Sequence, residues 1–402
     1  MSQPLPHPAN APAVLLTGVT GSLGGQLLAG LLRAWPDHHV LAPLRAPTAE
    51  AAALRLREAA DFAGLGPAER MRLHTFAADL SAPMLGLPLR AWQQLADCTR
   101  VIYHLAASVD FDLPLAESRR ANVDSTAELL RLAQLCAARH ASEFRFNHVS
   151  TAYICGRREG RLLESELGVG QSFWNGYEQS KLESEGLVRA VMGDLRATVY
   201  RPSQVVGDAA RGRIRRQFGF YDFLKLAQRD RMPLLVADAA ARSDIVPSDH
   251  VCDAVLHLSR DTAMVGRTVH LAAGLAHSLS TAQLVELVYR TLDEAEPAAA
   301  GPRRRPRILP AHALAAASED PVVRAYRYSP LKVLMRTYGP YLAYERDFAV
   351  DDTAAVLAQA GIVLPPMAAV LRRTARWFLG REKARTGRVV APERQSEPTS
   401  GP

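Results

Sequence analysis

Lysine is almost missing from this chain. Of 48 basic residues among 402, four are lysine (Lys181, Lys225, Lys332, Lys383) and the rest are arginine. Any motif that needs a lysine therefore stands out. Cysteine is equally scarce: Cys98, Cys136, Cys155 and Cys252 are far apart and form no Cys-x-x-Cys pair. That offers no disulfide framework and no metal ligand set, and it fits reduced thiols in a cytoplasmic protein. No run approaches the roughly 18 consecutive apolar residues of a membrane span. Residues 1–12 hold four prolines and neither Lys nor Arg. They lack the charged start and apolar centre of a signal peptide and read as a flexible leader.

What is present is a globular composition, 48% hydrophobic and 22% charged, with a net charge of +7. It excludes a disordered chain, and the length suits one large domain or two ordinary ones.

Short apolar strands alternate with helical periodicity. Strands fit Ala13 to Thr17, His39 to Leu44, Arg72 to Ala77, Arg100 to Leu105, Arg145 to Ser150 and Ala197 to Tyr200. Helices fit Ser22 to about Trp35, Glu50 to Ala60, Leu115 to Arg139 and Tyr177 to Val191. This predicts an α/β fold, a Rossmann-type doubly wound parallel sheet, with a smaller, mostly helical C-terminal substrate-side region. The sheet domain spans 13–292, with an insertion at about 207–241. Residues 293–310, rich in Ala, Pro and Arg, read as a linker, 311–380 as a helical extension and 381–402 as a disordered basic tail.

Thr17-Gly18-Val19-Thr20-Gly21-Ser22-Leu23-Gly24 joins the first strand to the first helix. Gly18 allows a sharp turn, Gly21 lets backbone approach a pyrophosphate, and Gly24 lets helix pack on strand. The helix N-terminus then offers free N–H groups to phosphates. An NAD-preferring site places a carboxylate at the end of the second strand. Here that place reads Ala42-Pro43-Leu44-Arg45-Ala46, and Arg45 suits a 2′-phosphate, so NADPH is expected. In so arginine-rich a chain, Arg45 equally fits a plain surface position. Asp79 fits either an acceptor for the adenine amino group or a cap on the turn Ser81-Ala82-Pro83.

Tyr177-Glu178-Gln179-Ser180-Lys181 puts tyrosine and lysine on one helix face. With 11 tyrosines and four lysines in the chain, that spacing is rare by chance. A nearby ammonium lowers a tyrosine pKa, making Tyr177 a general acid toward a carbonyl oxygen. Thr151, or its rival Ser150, ends the fifth strand and offers a second hydroxyl. Asn122, in the long helix, fits either a holder of a water or of the Lys181 backbone in a proton relay, or an ordinary polar helix position.

Together these residues resemble the extended short-chain dehydrogenase/reductase superfamily, over roughly Ala13 to Thr291. More narrowly they resemble its thioester reductase and fatty acyl-CoA reductase branch, the male sterility type. The resemblance rests on the glycine turn, Ala78–Leu87, Val101–Val109, Ala121–Val123, His148–Tyr153, Tyr200–Ser203 and Asp244–Asp249. It implies a catalytic set of Thr151, Tyr177 and Lys181. It also implies cofactor contacts along Thr17, Gly18, Thr20, Gly21, Ser22, Leu23 and Gly24, at Asp79 and Leu80, and at His104, Ala106, Ala107, Pro202 and Val205. The implied reaction is hydride transfer from NADPH to an acyl thioester, giving aldehyde or alcohol, with acyl-CoA or an acyl carrier protein as partner. Two positions depart from the family pattern: Leu105 stands where Asn is usual, and Gln204 where a small or apolar residue is usual. No adenylation or carrier domain is legible, so thioesters made elsewhere are expected. The competing readings are a sterol-type alcohol dehydrogenase, a sugar-nucleotide epimerase or reductase, and a non-catalytic NADPH-binding regulator.

Positive charge gathers late in the chain, at Arg303, Arg304, Arg305 and Arg307 and from Arg372 to Arg388. It suits an acidic carrier or CoA phosphates, an anionic membrane surface beside Trp377-Phe378-Leu379, or simply a solvated face. No nucleic-acid recognition motif accompanies it.

Overall fold

The computed structural model describes residues 11–297, 301–327 and 330–386. The expected leader up to residue 10 and the expected tail beyond residue 386 lie outside the described residues.

Seven strands form one parallel sheet: β1 (Ala13–Thr17), β2 (His39–Leu44), β3 (Leu73–Ala77), β4 (Thr99–His104), β5 (Arg145–Val149), β6 (Ala197–Pro202) and β7 (Thr268–Leu271). Their order is β7-β6-β5-β4-β1-β2-β3, and every pairing is parallel. Six of these strands follow the periodicity to within a residue or two. The seventh, β7, is too short for its period to register: it has four residues.

The strands are apolar on both faces because both faces are covered. On β1, Val14 and Leu16 enter one core while Ala13 and Leu15 enter the other. Helices α1 (Ser22–Ala34) and α2 (Ala49–Ala63) cover the first face, together with a later helix, Ser248–Leu258. Helix α3 (Leu89–Cys98), α4 (Ser125–His140) and α5 (Gly176–Ala190) cover the second. A short helix, Leu115–Arg119, and a π turn, Arg120–Asp124, lead into α4. The sheet order reverses between β1 and β4, so a crevice opens at their C-terminal ends.

A third core lies beside the sheet. It gathers α6 (Phe220–Gln228) from the expected insertion, α7 (Thr281–Ala295), α8 (Pro330–Tyr338) and α9 (Met367–Thr386). Three sequence expectations change here. The linker is tied down: Arg307–Leu309 pairs in parallel with Leu234–Val236, and Arg303 and Arg305 both pair with Asp293. Residues 381–386, expected to be disordered, continue α9. Phe378 and Leu379, which suggested membrane contact, are buried in the third core, and Trp377 packs against it. Among the described residues no helix is long and apolar enough to cross a membrane.

Candidate active site

One cavity of about 600 Å³ runs from the glycine turn, past the ends of β4, β5 and β6, into the third core. Gly18 has φ +75°, and a Cβ there would lie 2.7 Å from Ala106 N. A Cβ on Gly24 would lie 2.2 Å from Gly18 O. Only glycine fits at both places, so the turn closes on β4 and α1 packs hard against it. Helix α1 starts at Gly21 without a side-chain cap, which leaves its first N–H groups facing the cavity. Thr20, Gly21, Ser22 and Leu23 line the same end. These features fit the phosphates of a dinucleotide.

Arg45 is exposed and lines the cavity beyond β2. Arg55 joins it, donating from Nη1 to Arg45 O (2.6 Å) and from Nη2 to Thr20 Oγ1 (3.2 Å). Sequence reasoning misses Arg55, which is one arginine among many. Asp79 and Leu80 line the opposite wall. Asp79 Oδ1 accepts from Ser81 N and Oγ, and those bonds hold its carboxyl below the usual range. It therefore caps the turn while still lining the cavity, so both readings of Asp79 are compatible. Ala106, Ala107, Pro202 and Val205 line the middle, as do Leu105 and Gln204, the two departures from the family pattern.

Three expected residues lie behind the wall instead. Thr17 is fully buried; its Oγ1 accepts from the backbone of Leu105 and Ala106 and meets His104 Nδ1 at 2.8 Å. His104 Nε2 meets Thr126 Oγ1 at 3.0 Å. Thr126 already donates to Asn122 O, so His104 donates from Nε2 and accepts at Nδ1. Burial first, then Lys181, pushes His104 down to about 3, so it stays neutral. It braces β1 against β4 and α4. Asn122 is likewise committed: Oδ1 accepts from Ser108 N (2.8 Å), and Nδ2 donates to Ser108 O (3.2 Å) and Ser180 Oγ (2.9 Å). It fixes α5 through Ser180 and does not bond the Lys181 backbone, one of the partners expected of it.

Thr151, Tyr177 and Lys181 do converge on the cavity. Asn175 caps α5, accepting from Glu178 N, and presents Tyr177 and Lys181 one turn apart. Thr151 Oγ1 donates to Pro202 O (3.4 Å) and accepts from Tyr153 N (3.3 Å), and its hydroxyl lies near enough to Tyr177 to draw the phenol pKa down. Ser150 lines the cavity, but its buried Oγ has no partner among the described residues. Burial pushes the Tyr177 phenol up to about 12, against the opposite pull of the Thr151 hydroxyl. The expected lowering by Lys181 is therefore not found, because desolvation dominates. Burial also brings Lys181 down to about 8, and its Nζ donates to Val149 O (2.9 Å). Next to Tyr177, the buried carboxylate of Glu178 accepts from Tyr341 Oη at 2.5 Å. Phe111 stacks between Tyr177 and Tyr341, with ring centroids 5.3 and 5.6 Å away. Nothing in the local sequence flags Phe111 or Tyr341. Beyond them the cavity wall is apolar, formed by Phe220, Phe223, Met232, Leu235, Leu284 and Val288.

A family model described as male sterility protein matches residues 16–255. The chain belongs to this family. As a member of the male sterility protein family it is an oxidoreductase of the extended short-chain dehydrogenase/reductase type, built to hold a nicotinamide cofactor. It is 32% identical over 294 residues to the isonitrile lipopeptide synthase of Streptomyces coeruleorubidus, a match covering 72% of this chain and 19% of the synthase. It is 31% identical over 264 residues to the L-2-aminoadipate reductase of Saccharomyces cerevisiae, covering 61% of this chain and 18% of the reductase. The chain thus spans about a fifth of each of these relatives. The crystal structure of the terminal R domain from the myxalamid PKS-NRPS biosynthetic pathway matches with a TM-score of 0.74 at 27% identity, covering 98% of this chain and 95% of that domain.

Proposed function

We propose that the chain reduces an acyl thioester, carried on coenzyme A or a carrier protein, to an aldehyde or alcohol. The observation that carries this reading is one continuous cavity. Thr151, Tyr177 and Lys181 line it between the glycine turn and an apolar wing, which supports a cofactor at one end and an acyl chain at the other. The relatives' names support it, since they include a lipopeptide synthase and an aminoadipate reductase.

The cofactor, NADPH in this reading, supplies a hydride. Arg45 and Arg55 support the phosphorylated form, as does the lack of a carboxylate at the end of β2. The protein's own residues do the rest. Thr151 and Tyr177 offer two hydroxyl donors to the thioester oxygen as it gains charge. Tyr177 keeps its proton at neutral pH, so it can donate at that moment. Lys181 is mostly ammonium at pH 7; with one N–H on Val149 O, it has others for the cofactor ribose. When the C–S bond breaks, the oxygen returns to a carbonyl, and the leaving thiolate takes up a proton. One hydride and one proton thus turn thioester into aldehyde and thiol. A second round on the aldehyde gives the alcohol.

The test is NADPH oxidation, followed at its absorbance, with acyl-pantetheine and acyl-CoA thioesters. Turnover is expected, with kcat falling about a hundredfold or more in Tyr177→Phe. Turnover of a ketone or sugar nucleotide but of no thioester would sink the reading.

A further inference from the structure

Arg216 belongs to the insertion between β6 and α6, yet it is bound to the glycine turn. Its Nε donates to Thr20 O at 3.2 Å, and its own carbonyl accepts from Ser22 Oγ at 3.2 Å. The neighbouring Arg215 Nε donates to the same Thr20 carbonyl at 3.1 Å. Arg215 is also paired with Glu58, whereas Arg216 forms no ion pair among the described residues.

Four cationic side chains line the cavity: Arg45, Arg55, Lys181 and Arg216. Arg45 and Arg55 sit where an adenosine 2′-phosphate would go, and Lys181 sits at the catalytic end. Arg55 and Arg216 both bond Thr20 of the turn, but Arg55 uses its two outer nitrogens on Thr20 Oγ1 and Arg45 O, whereas Arg216 is held through Nε. The α1 N-terminus brings only a partial positive charge there, while a pyrophosphate brings two full negative ones. The guanidinium of Arg216, fixed through Nε, has its outer nitrogens free of described partners.

The residues that follow Arg216 form the other half of the cavity. Phe218, Gly219 and Phe220 all line it. Gly219 has φ +59°, and a Cβ there would meet Gln204 Nε2 at 2.9 Å, so this stretch has little slack. We propose that Arg216 clamps the cofactor pyrophosphate onto the glycine turn, and that through residues 217–220 this contact sets the wall of the substrate pocket when the cofactor binds. The proposal rests on the reading of the site as an NADPH site and does not depend on the thioester.

The experiment compares two ligands that share one end. NADPH carries the pyrophosphate; adenosine 2′-phosphate does not. Affinities are measured by fluorescence and calorimetry for wild type, Arg216→Gln, Arg216→Lys and Arg45→Gln. Arg216→Gln is expected to weaken NADPH about ten- to a hundredfold and to leave adenosine 2′-phosphate within about twofold. Arg216→Lys should fall between. Arg45→Gln should weaken both ligands. Hydrogen exchange supplies a second readout: NADP+ should protect residues 214–220 in wild type and not in Arg216→Gln. Unchanged NADPH affinity in a folded Arg216→Gln, or equal loss for both ligands, overturns the clamp. Equal protection in variant and wild type overturns the coupling. Failure of wild type to bind NADPH overturns the cofactor reading along with it.

Discussion

Lys181 shows how far composition can carry a single residue. In a chain with four lysines, one placed four residues after a tyrosine is conspicuous from the amino-acid order alone. What its environment does to it is not legible there, because burial is a tertiary property. Desolvation lowers the Lys181 pKa to about 8 in the folded protein, so it is an ammonium below that pH and neutral above. If the ammonium is required, kcat/KM is expected to hold level from pH 6 to 7 and fall about tenfold per unit above about 8. A profile flat to pH 10 would remove Lys181 from the chemistry. Arginine gives the opposite lesson. Arg45 is conspicuous only because it ends a strand, while Arg55 and Arg216 reach the same cavity from remote places and are lost among 44 arginines. His104 is a related case. Its motif runs along the cavity, but its ring turns inward to Thr17 and Thr126.

The elements themselves follow from period and turn chemistry, because a two-faced parallel sheet needs unbroken apolar strands. What the period cannot give is how each helix is pinned. Helix α5 is anchored by Glu185, whose buried carboxylate pairs with the buried Arg201 of β6 at 2.6 Å. Arg201 also donates to the carbonyls of Glu164 and Glu166, holding the loop before α5. Glu185→Ala leaves a buried guanidinium without its partner and should destabilise the fold by about 3–5 kcal/mol. Replacing both members, Glu185→Leu with Arg201→Met, should recover much of that loss. Urea unfolding of the single and double variants checks it; a double variant no better than the single would mean that the carbonyl bonds dominate.

At the scale of the whole molecule, the late chain is where sequence and structure part. Its arginines suggest a loose, charged linker and tail. Instead Arg303 and Arg305 are spent on Asp293, Arg307 pairs with Asp320, and Arg376 pairs with Glu294. Such partners are acidic residues scattered along other elements, which no local reading can assemble. Phe378 is fully buried in the third core. Phe378→Ala should therefore lower stability by about 3–5 kcal/mol, seen as a fall in Tm. Unchanged stability, with lost binding to anionic vesicles, would restore the membrane reading.

The strand Gly160–Leu162, in the segment that leads to α5, takes Arg346–Phe348 as its parallel partner, and Tyr341 donates to Glu178 of α5. These contacts join segments more than 160 residues apart, so they set an order in time. The glycine turn and the first five strands can form while the rest is still being made, but the cavity wall beside Tyr177 must wait for residues 341–348. A nascent or truncated protein would then hold the glycine turn and its sheet without the closed cavity. Its exposed apolar surface would lie where the third core has yet to arrive.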